Sequence, residues 1–488
     1  MTASSPSHID LQATAKQIMI EHGFEPDFPP EVPAQLAHVR AHPPQIAAGA
    51  NVRDLRQLLW SSIDNDTSRD LDQIEVAERL PNGDVTVRVG IADVDAFAPK
   101  QTPIDLHAMR ETTTVYAGVR NFPMLPEELS TGLTSLLENQ DRLSVVCEFV
   151  VSTAGGVSGG QFYRALVRNK AQLQYNSLGA WLEGNSPAPA KVAASGDLQA
   201  QLKLQDEVAQ QLKKQRFEQG ALSLQTDEVR PLMLNDQVID VVHQEKNSAT
   251  ELIEDFMIAA NGVVARMLEK VSSLRRIVRT PERWDRIVQL AGAKGATLPR
   301  DPDSKALNDF LIQQKAADPS HFGDLSLAVI KLIGPGEYVL ERAGDTAPGH
   351  FGLAVRDYTH STAPNRRFPD TVTQRIIKAT LAGQKNPYTD DELTAIAANC
   401  TLKENAAKKV EREMGKRLAA IAMQHRIGEI FDAIVTGVTP KGTFVLVQKP
   451  HVEGLLAQGH KGLDVGDKLR VKLIRTDVQH GFIDFASV

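Results

Sequence analysis

A strand–turn–strand pattern constrains the fold more than any other stretch of the chain. The runs QIEVAERL and DVTVRVGIADV are rich in β-branched residues and flank Asn82-Gly83. An Asn-Gly pair between two such runs predicts a tight β-hairpin. A two-residue turn there places Asp72 directly opposite Asp93, at the mouth of a buried sheet face. The residues expected on the face of Asp72 are Ile74, Val76, Val85, Val87, Val89 and Ile91.

The loop before this hairpin, IDNDTSRDLDQIE, concentrates negative charge. Its five acidic residues are Asp64, Asp66, Asp70, Asp72 and Glu75. Two carboxylates about 5 Å apart repel each other by about 3 kcal/mol at an effective dielectric constant of about 20. A solvated loop relieves that repulsion, and so does a bound cation. The spacing also fits an EF-hand calcium loop, but Arg69 stands where that loop needs glycine.

The buried hairpin face favours a metal site over a solvated loop. Carboxylate oxygens near water suit Mg²⁺ or Mn²⁺, and such sites cleave phosphodiester bonds. That reaction needs positive charge opposite the metal, and THSTAPNRRFPD supplies Arg366 and Arg367. Pro364 and Pro369 stiffen this segment, so an arginine there can be held rigidly against a phosphate. Paired arginines are also a common feature of protein surfaces.

The chain divides into three parts, which predict an α+β fold. Residues 1–50 form a short helical segment, either a helix-turn-helix or a packing appendage. Residues 51–425 form a large catalytic domain of mixed β-sheet and helices, with helical runs such as SATELIEDFMIAANGVVARMLEK. Residues 426–488 show five short strands with interspersed glycines, which predicts an OB-type β-barrel. Phe431 and Phe444 suit stacking on single-stranded bases there, or else belong to the barrel core.

Composition narrows the class of protein. The chain has no apolar run long enough to span a membrane, and MTASSPSHID is unlike a signal peptide. Cys147 and Cys400 lie far apart, which excludes a disulfide scaffold and favours a reducing cytoplasm. The net charge of -7 argues mildly against a nucleic-acid binder, but a local basic groove can still bind phosphate.

Together these motifs resemble those of the ribonuclease II/ribonuclease R family, the RNB-domain exoribonucleases. SIDNDTSRDLDQIE resembles the family's Asp-rich metal loop, and VGIADVDAFA resembles the strand after it. ETTTVYAGVRNFPMLPEELSTGLTSLLENQDRLSVVCEF is similar to the family's longest signature. KQRFEQGALSL, ELIEDFMIAAN and HFGLAVRDYTHSTAPNRRFPDTVTQR follow in the family order. The C-terminal barrel resembles the S1 RNA-binding domain of the family, so the resemblance runs from about residue 52 to the end.

The resemblance implies a monomeric enzyme that degrades single-stranded RNA processively from its 3′ end. It releases nucleoside 5′-monophosphates and uses Mg²⁺, with Mn²⁺ as the alternative ion. The implied catalytic residues are Asp64, Asp70, Asp72 and Arg366, and the implied metal ligands are the same three aspartates with Gln73. The expected RNA contacts are Tyr116, Arg367, Glu411 and Phe444.

Four departures from the family pattern leave an alternative function open. Gln73 stands where the family has a second consecutive aspartate, and Leu224 where an aromatic residue is usual. TAPNRRF replaces a Ser-Pro-Ile-Arg pattern, and residues 1–50 do not resemble paired cold-shock barrels. The alternative is a catalytically weakened RNB-fold protein that binds RNA as a scaffold or chaperone.

Overall fold

The computed structural model describes residues 10–44, 49, 51–225, 228–234, 237–244, 246–346, 348–447 and 449–488. Residues 228–234 and 237–244 are described by their backbone only. Within these ranges, none of the helices combines the length and the hydrophobicity that crossing a bilayer requires.

The N-terminal segment contains two helices, α1 (Leu11–Glu21) and α2 (Glu31–Ala41). Asp10 caps α1, because its carboxylate accepts hydrogen bonds from the backbone N–H groups of Gln12 and Ala13. The helical prediction for this segment is therefore confirmed in the residues described.

A mixed β-sheet forms the centre of the molecule. The strands up to residue 174 are β1 (Val52–Asp54), β2 (Ser61–Asp64), β3 (Gln73–Arg79), β4 (Val85–Ala92), β5 (Val115–Tyr116), β6 (Asn121–Phe122), β7 (Asp141–Val151), β8 (Val157–Arg168) and β9 (Ala171–Gln174). Seven of them form one sheet in the order β1-β8-β7-β4-β3-β2-β9, while β5 and β6 form a separate small hairpin. β2 pairs with β9 in parallel and with β3 antiparallel, so β2 joins the hairpin to the edge of the sheet.

Helices cover this sheet and extend the domain. The further helices are α3 (Pro103–Glu111), α4 (Tyr175–Leu182), α5 (Ala190–Ala193), α6 (Gly196–Glu218), α7 (Ser248–Met267), α8 (Trp284–Ala293), α9 (Ser304–Ala317), α10 (Phe322–Ile333), α11 (Phe368–Leu381) and α12 (Asp390–Gln424). Two strand pairs lie between them: β10 (Glu228–Leu234) with β11 (Gln237–Gln244), and β12 (Ser273–Ile277) with β13 (Glu337–Glu341). α6 and α7 pack on each other and on the sheet. α1 packs on α12 and α2 packs on α3, which is the arrangement of a packing appendage.

The C-terminal residues form a closed five-stranded barrel, as the sequence predicts. Its strands are β14 (Ile430–Thr439), β15 (Gly442–Val447), β16 (Val452–Gln458), β17 (Lys468–Asp477) and β18 (Phe482–Ser487). They close in the order β14-β15-β16-β18-β17. Phe431 is buried and its ring lies 6.4 Å from that of Phe485, so Phe431 belongs to the core. Phe444 is half-buried.

The predicted hairpin forms, but its predicted register is wrong by one residue. Gln73 pairs with Ile91, and the N–H of Ala92 donates to the carbonyl of Asp72 over 2.9 Å. The reason is the length of the turn. Leu80 donates to the carbonyl of Asp84, which leaves three residues in the loop instead of two.

This register corrects the prediction for Asp93, which does not lie beside Asp72. Asp93 is buried, and its carboxylate bonds to Arg164 at 3.1 Å and to Lys378 at 2.8 Å. The Asp93 carboxylate is thus neutralised by two cations in a structural ion-pair network. The two cysteines, Cys147 and Cys400, are buried free thiols.

Candidate active site

The acidic loop spans the point at which two neighbouring strands separate. β2 and β3 pair at Ser61 and Glu75. Continuing that register along the diverging strands sets Asp64 on β2 opposite Asp72, the residue before β3. The segment that follows the loop is a strand, which excludes the exiting helix of an EF-hand. The two ends of the acidic loop therefore lie on neighbouring strands of the sheet.

Asp72 is the most constrained of the predicted acidic residues. Its carboxylate is buried, and it accepts hydrogen bonds from the backbone N–H of Asn365 at 2.8 Å and from Nε of Arg366 at 3.2 Å. Burial raises the pKa of Asp72 to about 7, and the nearby charge of Asp70 adds to the rise while Arg366 opposes it. Asp72 therefore sits where a positive charge is strongly favoured.

A short backbone ladder holds Arg366 in place. The N–H of Thr114 donates to the carbonyl of Arg366 over 3.0 Å, and the N–H of Phe368 donates to the carbonyl of Thr112 over 2.8 Å. These bonds add to the stiffness that the flanking prolines provide. The side chain of Arg366 remains 45 % exposed, so its guanidinium can meet a ligand.

Tyr116 and Glu411 lie beside Arg366 and line the same cavity, which has a volume of about 270 Å³. The backbone N–H of Tyr116 donates to Oε1 of Glu411 over 3.3 Å, and the Tyr116 side chain is 41 % exposed. Burial raises the pKa of the Tyr116 phenol, and the charges of Asp64, Asp70 and Asp72 raise it further while Arg366 opposes the rise. Tyr116 and Glu411, both predicted RNA contacts, thus line one cavity with Arg366, a predicted catalytic residue.

The other two predicted aspartates, Asp64 and Asp70, lie close enough for their charges to act on this site. Oδ1 of Asp64 accepts hydrogen bonds from the N–H of Asn65 at 2.7 Å and from the hydroxyl of Ser68 at 2.8 Å. Burial raises the pKa of Asp70, the charge of Arg366 opposes the rise, and the charge of Asp64 adds to it. Since several carboxylates share a partly buried space, the site favours a cation.

Whether these residues fit a metal ion depends on their donor atoms. No three His, Cys, Asp or Glu side chains among the described residues converge closely enough to hold one. Both oxygens of the Asp72 carboxylate accept hydrogen bonds, one from the backbone of Asn365 and one from the side chain of Arg366. The available donors are nevertheless hard carboxylate oxygens, the type that Mg²⁺ and Mn²⁺ prefer. The donor chemistry of these aspartates therefore suits a divalent metal ion.

Three further residues that the sequence analysis assigns to RNA or metal binding have surroundings that differ from those of Tyr116 and Arg366. Arg367 donates to Asp370 over 2.7 Å and is only 23 % exposed, although it also lines the cavity. Gln73 follows Asp72 at the start of β3, and consecutive strand residues point to opposite faces. Phe444 lies on β15 of the barrel. Their predicted roles stay predictions.

Several residues that shape the site carry no signal by which sequence analysis could find them. Asn365 acts through its backbone N–H, and Ser68 through a single hydroxyl, so neither stands out by residue type. Tyr175, at the start of α4, is another: burial raises the pKa of its phenol, and the charges of Asp64 and Glu75 add to the rise. A tyrosine directly after a short strand carries no pattern that would mark it.

Comparison with known proteins identifies the class of protein to which a chain with this fold and this site belongs. The RNB domain model matches residues 52–383, and the model of the RNase II-type exonuclease C-terminal S1 domain matches residues 429–488. The chain belongs to the RNB family, which confirms the resemblance and the predicted fold class.

Among its relatives are enzymes named Ribonuclease R. The chain is 30% identical to that of Escherichia coli over 447 residues, which cover 88% of this chain and 54% of the relative. It is 30% identical to that of Thermotoga maritima over 509 residues, covering 96% of this chain and 70% of the relative. It thus spans about half the length of the first. Its fold matches Mycoplasma genitalium RNase R in complex with ribose methylated single-stranded RNA, with a TM-score of 0.85 at 22% identity, covering 98% of this chain and 78% of the other.

Proposed function

We propose that the chain is a metal-dependent 3′-to-5′ exoribonuclease that degrades single-stranded RNA processively to nucleoside 5′-monophosphates. The observation that carries the proposal is the position of Arg366, which pairs with buried Asp72 and lines a cavity together with Tyr116 and Glu411. Relatives named Ribonuclease R support it, and so does the fold shared with an RNase R solved with single-stranded RNA.

The acidic loop would hold the metal. Asp64, Asp70 and Asp72 are the proposed ligands, with the neutral oxygen of Gln73 as a fourth. When bound, Mg²⁺ or Mn²⁺ polarises a phosphate oxygen and lowers the pKa of a water molecule. The neutral amide of Gln73 contributes no charge, so the metal would bind more weakly than it does to four carboxylates.

Arg366 and the cavity wall would orient the RNA. The guanidinium can exchange Asp72 for the scissile phosphate, where its planar fork matches two phosphate oxygens and neutralises the charge that develops there. That exchange also frees the Asp72 carboxylate. Tyr116 offers an exposed ring for stacking on a base, and the Glu411 carboxylate can accept a hydrogen bond from a ribose hydroxyl.

A degradation assay tests the proposal. A single-stranded RNA labelled at its 5′ end is incubated with Mg²⁺ or Mn²⁺, and the products are resolved by length and by chromatography. We expect a ladder that shortens from the 3′ end and release of nucleoside 5′-monophosphates. Asp72→Asn should abolish release while RNA binding persists, and Asp197→Asn, at an exposed aspartate on α6, should leave it unchanged. Full turnover by Asp72→Asn would refute the carboxylate assignment.

Two observations favour a second candidate, an RNB-fold protein that binds RNA without degrading it efficiently. Gln73 is neutral, and no three acidic side chains converge in the described part of the chain. This candidate predicts a mobility shift with intact RNA. Gln73→Asp separates the two candidates further, since a large gain in rate would show that the natural site is handicapped.

A further inference from the structure

Glu75 is a fully buried acidic residue next to the candidate active site. It lies on β3 directly opposite Ser61 on β2, and its relative exposure is 0%. Neither of its carboxyl oxygens has a hydrogen-bond partner among the described residues. An acid that is buried without partners is costly to a folded chain. Its presence here therefore requires either a structural reason or a ligand.

The surroundings of Glu75 do not supply a structural reason. The side-chain oxygens of Ser61 and Gln205, which lie against the same part of β3, are also buried without a partner. Nε2 of Gln205 donates to the backbone carbonyl of Glu75 over 3.5 Å, and not to its carboxyl group. Within the described part of the chain, no lysine or arginine forms an ion pair with Glu75. Its neighbours therefore leave its carboxyl group unsatisfied.

Gln73 shares the strand face of Glu75. Side chains two residues apart on a strand point to the same side, and Gln73 is also nearly buried, at 8% exposure. Its amide takes part in no hydrogen bond with any described residue. Two residues of a strand span about 6.6 Å, so the ends of these two long side chains can meet at one ion. This face of β3 thus carries two polar groups that are available to the same ligand.

Asp64 brings a second carboxylate close to this face. β2 and β3 pair at Ser61 and Glu75 and separate beyond that point, so no backbone ladder lies between Asp64 and Gln73. Burial raises the pKa of Glu75 well above its ordinary value, and the nearby charge of Asp64 adds to the rise. Both hydrogen bonds of the Asp64 carboxylate are accepted by Oδ1, which leaves Oδ2 available. Asp64, Gln73 and Glu75 thus form a set of oxygen donors where the strands separate.

Charge distinguishes this donor set from one without Glu75. An ion bound by Asp64 and Gln73 alone would meet a single negative charge, because the amide of Gln73 is neutral. Asp72 adds a second charge only in competition with Arg366, to which it is already paired at 3.2 Å. The Glu75 carboxyl group has no such competitor. With Glu75, two carboxylates match the charge of a divalent ion.

We propose that Glu75 is a metal ligand of the candidate active site and supplies the negative charge that Gln73 lacks. The inference rests on the proposed function, to which it adds a ligand. Asp64, Gln73 and Glu75 together offer carboxylate and amide oxygens, the donors that Mg²⁺ and Mn²⁺ prefer.

The ligand role is tested by titrating the full chain with Mn²⁺ alone, without RNA. Electron paramagnetic resonance measures the free Mn²⁺, so the readout is metal affinity and does not depend on turnover. Glu75→Gln keeps the size of the side chain and removes its charge. It should weaken Mn²⁺ binding about tenfold or more, since even a group that only orients a ligand contributes about 10–100-fold.

Two further variants show whether the effect is specific. Glu78→Gln removes an exposed carboxylate from the same strand and should leave the Mn²⁺ affinity unchanged. Gln73→Asp should tighten binding, because it adds a carboxylate to the site. In a Gln73→Asp background, Glu75→Gln should cost less than it does alone, since the two positions then supply the same charge.

Thermal melting provides a second readout and checks folding. Mn²⁺ should raise the Tm of the wild type and raise that of Glu75→Gln by less, because a ligand that binds the folded state stabilises it. Glu75→Leu removes every donor atom and fits an apolar site, so it replaces Glu75→Gln if the amide variant misfolds. It should lose Mn²⁺ affinity to at least the same extent.

The outcomes separate the ligand role from the proposed function. If Glu75→Gln or Glu75→Leu binds Mn²⁺ as tightly as the wild type, the ligand role is wrong, and the proposed function stands as long as the wild type degrades RNA. If the wild type binds no Mn²⁺ and degrades RNA equally well in EDTA, the ligand role and the metal dependence both fail. Anomalous scattering from a crystal of the wild type soaked in Mn²⁺ locates the ion without any variant. An ion in contact with the Glu75 carboxylate supports the proposal, and an ion bound away from it overturns the proposal.

Discussion

Asp72 and Arg366 neutralise each other across the candidate active site, one fully buried and the other half exposed. Each group would be poorly placed alone, because an unpaired charge at Asp72 lacks water around it. Each of the two groups therefore stabilises the charge of the other. A phosphate that binds Arg366 must displace Asp72, and a metal ion that binds Asp72 must displace Arg366. Binding of one ligand should therefore favour binding of the other.

The first prediction concerns the dependence of stability on pH in the absence of metal. The pKa of Asp72 is about 7 in the folded chain and about 4 when unfolded. Between these values the folded state keeps a proton that the unfolded state has lost, so stability falls as pH rises. The fall should reach about 1.4 kcal/mol per pH unit and stop above pH of about 7.

Asp72→Asn isolates this effect, because asparagine does not titrate. The measurement is urea unfolding of both proteins in EDTA from acid to neutral pH. The wild type should lose stability relative to the variant as pH rises, and the difference should become constant above neutrality. A difference that does not vary with pH would mean that Asp72 is charged throughout the range.

The second prediction concerns Arg366. Its guanidinium is the exposed member of the pair, held by the Thr114 hydrogen bond to its carbonyl. Replacing it by alanine should reduce the single-turnover rate by about 10³-fold or more, as for arginines that stabilise transferring phosphoryl groups. Arg286→Ala, at an exposed arginine on α8, should leave the rate unchanged. A loss smaller than tenfold would remove Arg366 from the catalytic residues.

Functional residues that cluster by type can be predicted from a sequence more readily than the groups that they contact. The Asp-rich loop and the arginine pair could be found because several charged residues of one kind stand close together. The backbone donor Asn365 could not be found, because backbone hydrogen bonds leave no mark on residue type. The predicted pairing of Asp93 with Asp72 is wrong for a related reason. One extra residue in a turn changes the partner of every residue in the hairpin.

At the scale of elements, α1 supports the hairpin that carries Tyr116. A buried apolar cluster joins three elements: α1, the β5–β6 hairpin and the middle of α12. Its members are Ala15, Ile18, Met19, Phe24, Val115, Ala117, Phe122, Ala407, Val410 and Met414. Because Val115 and Ala117 flank Tyr116, we expect the packing of α1 to contribute to how firmly the backbone of Tyr116 is held. The appendage predicted from the sequence is thus connected to the candidate active site.

The third prediction tests this support. Met19 is 1% exposed within the cluster, so Met19→Ala should lower the free energy of unfolding by about 2–5 kcal/mol. The looser hairpin should raise KM for RNA more than it lowers kcat, since Tyr116 is proposed to bind a base. Ile20→Ala changes an exposed apolar residue of the same helix and serves as the control. Equal changes in KM for both variants would refute the connection.

At the scale of the whole molecule, local patterns predicted most of the architecture. The hairpin, the long helices and the five barrel strands each leave a periodic or turn signal within a short window. Packing between elements that are far apart in the chain leaves no such signal in the sequence. The contact of Lys416 with Gly481 joins positions far apart in the chain, and it depends on the absence of a side chain that no pattern explains. The connection between domains therefore had to come from the structure.

The fourth prediction follows from how the end of α12 packs against the barrel. Its last turns contribute Leu418, Ala420, Ala422 and Met423 to the same buried cluster as the barrel core. A chain of residues 1–428 would expose this apolar surface, so we expect it to self-associate in sedimentation experiments and to melt at a lower temperature than the full chain.

Polar substitutions at the exposed end of α12 should distinguish two roles of the barrel, which are covering the apolar end of α12 and binding a long RNA strand. In the shortened chain, Leu418→Gln/Met423→Gln should suppress self-association, because the exposed end of α12 no longer presents its largest apolar side chains. Affinity for a long RNA strand should still be reduced, because the barrel strands and their cations are missing. Release of nucleotides from a very short RNA should persist, since Asp72, Arg366 and Tyr116 all lie outside the barrel. If the repaired chain bound long RNA as tightly as the full chain, the barrel would serve only to cover α12.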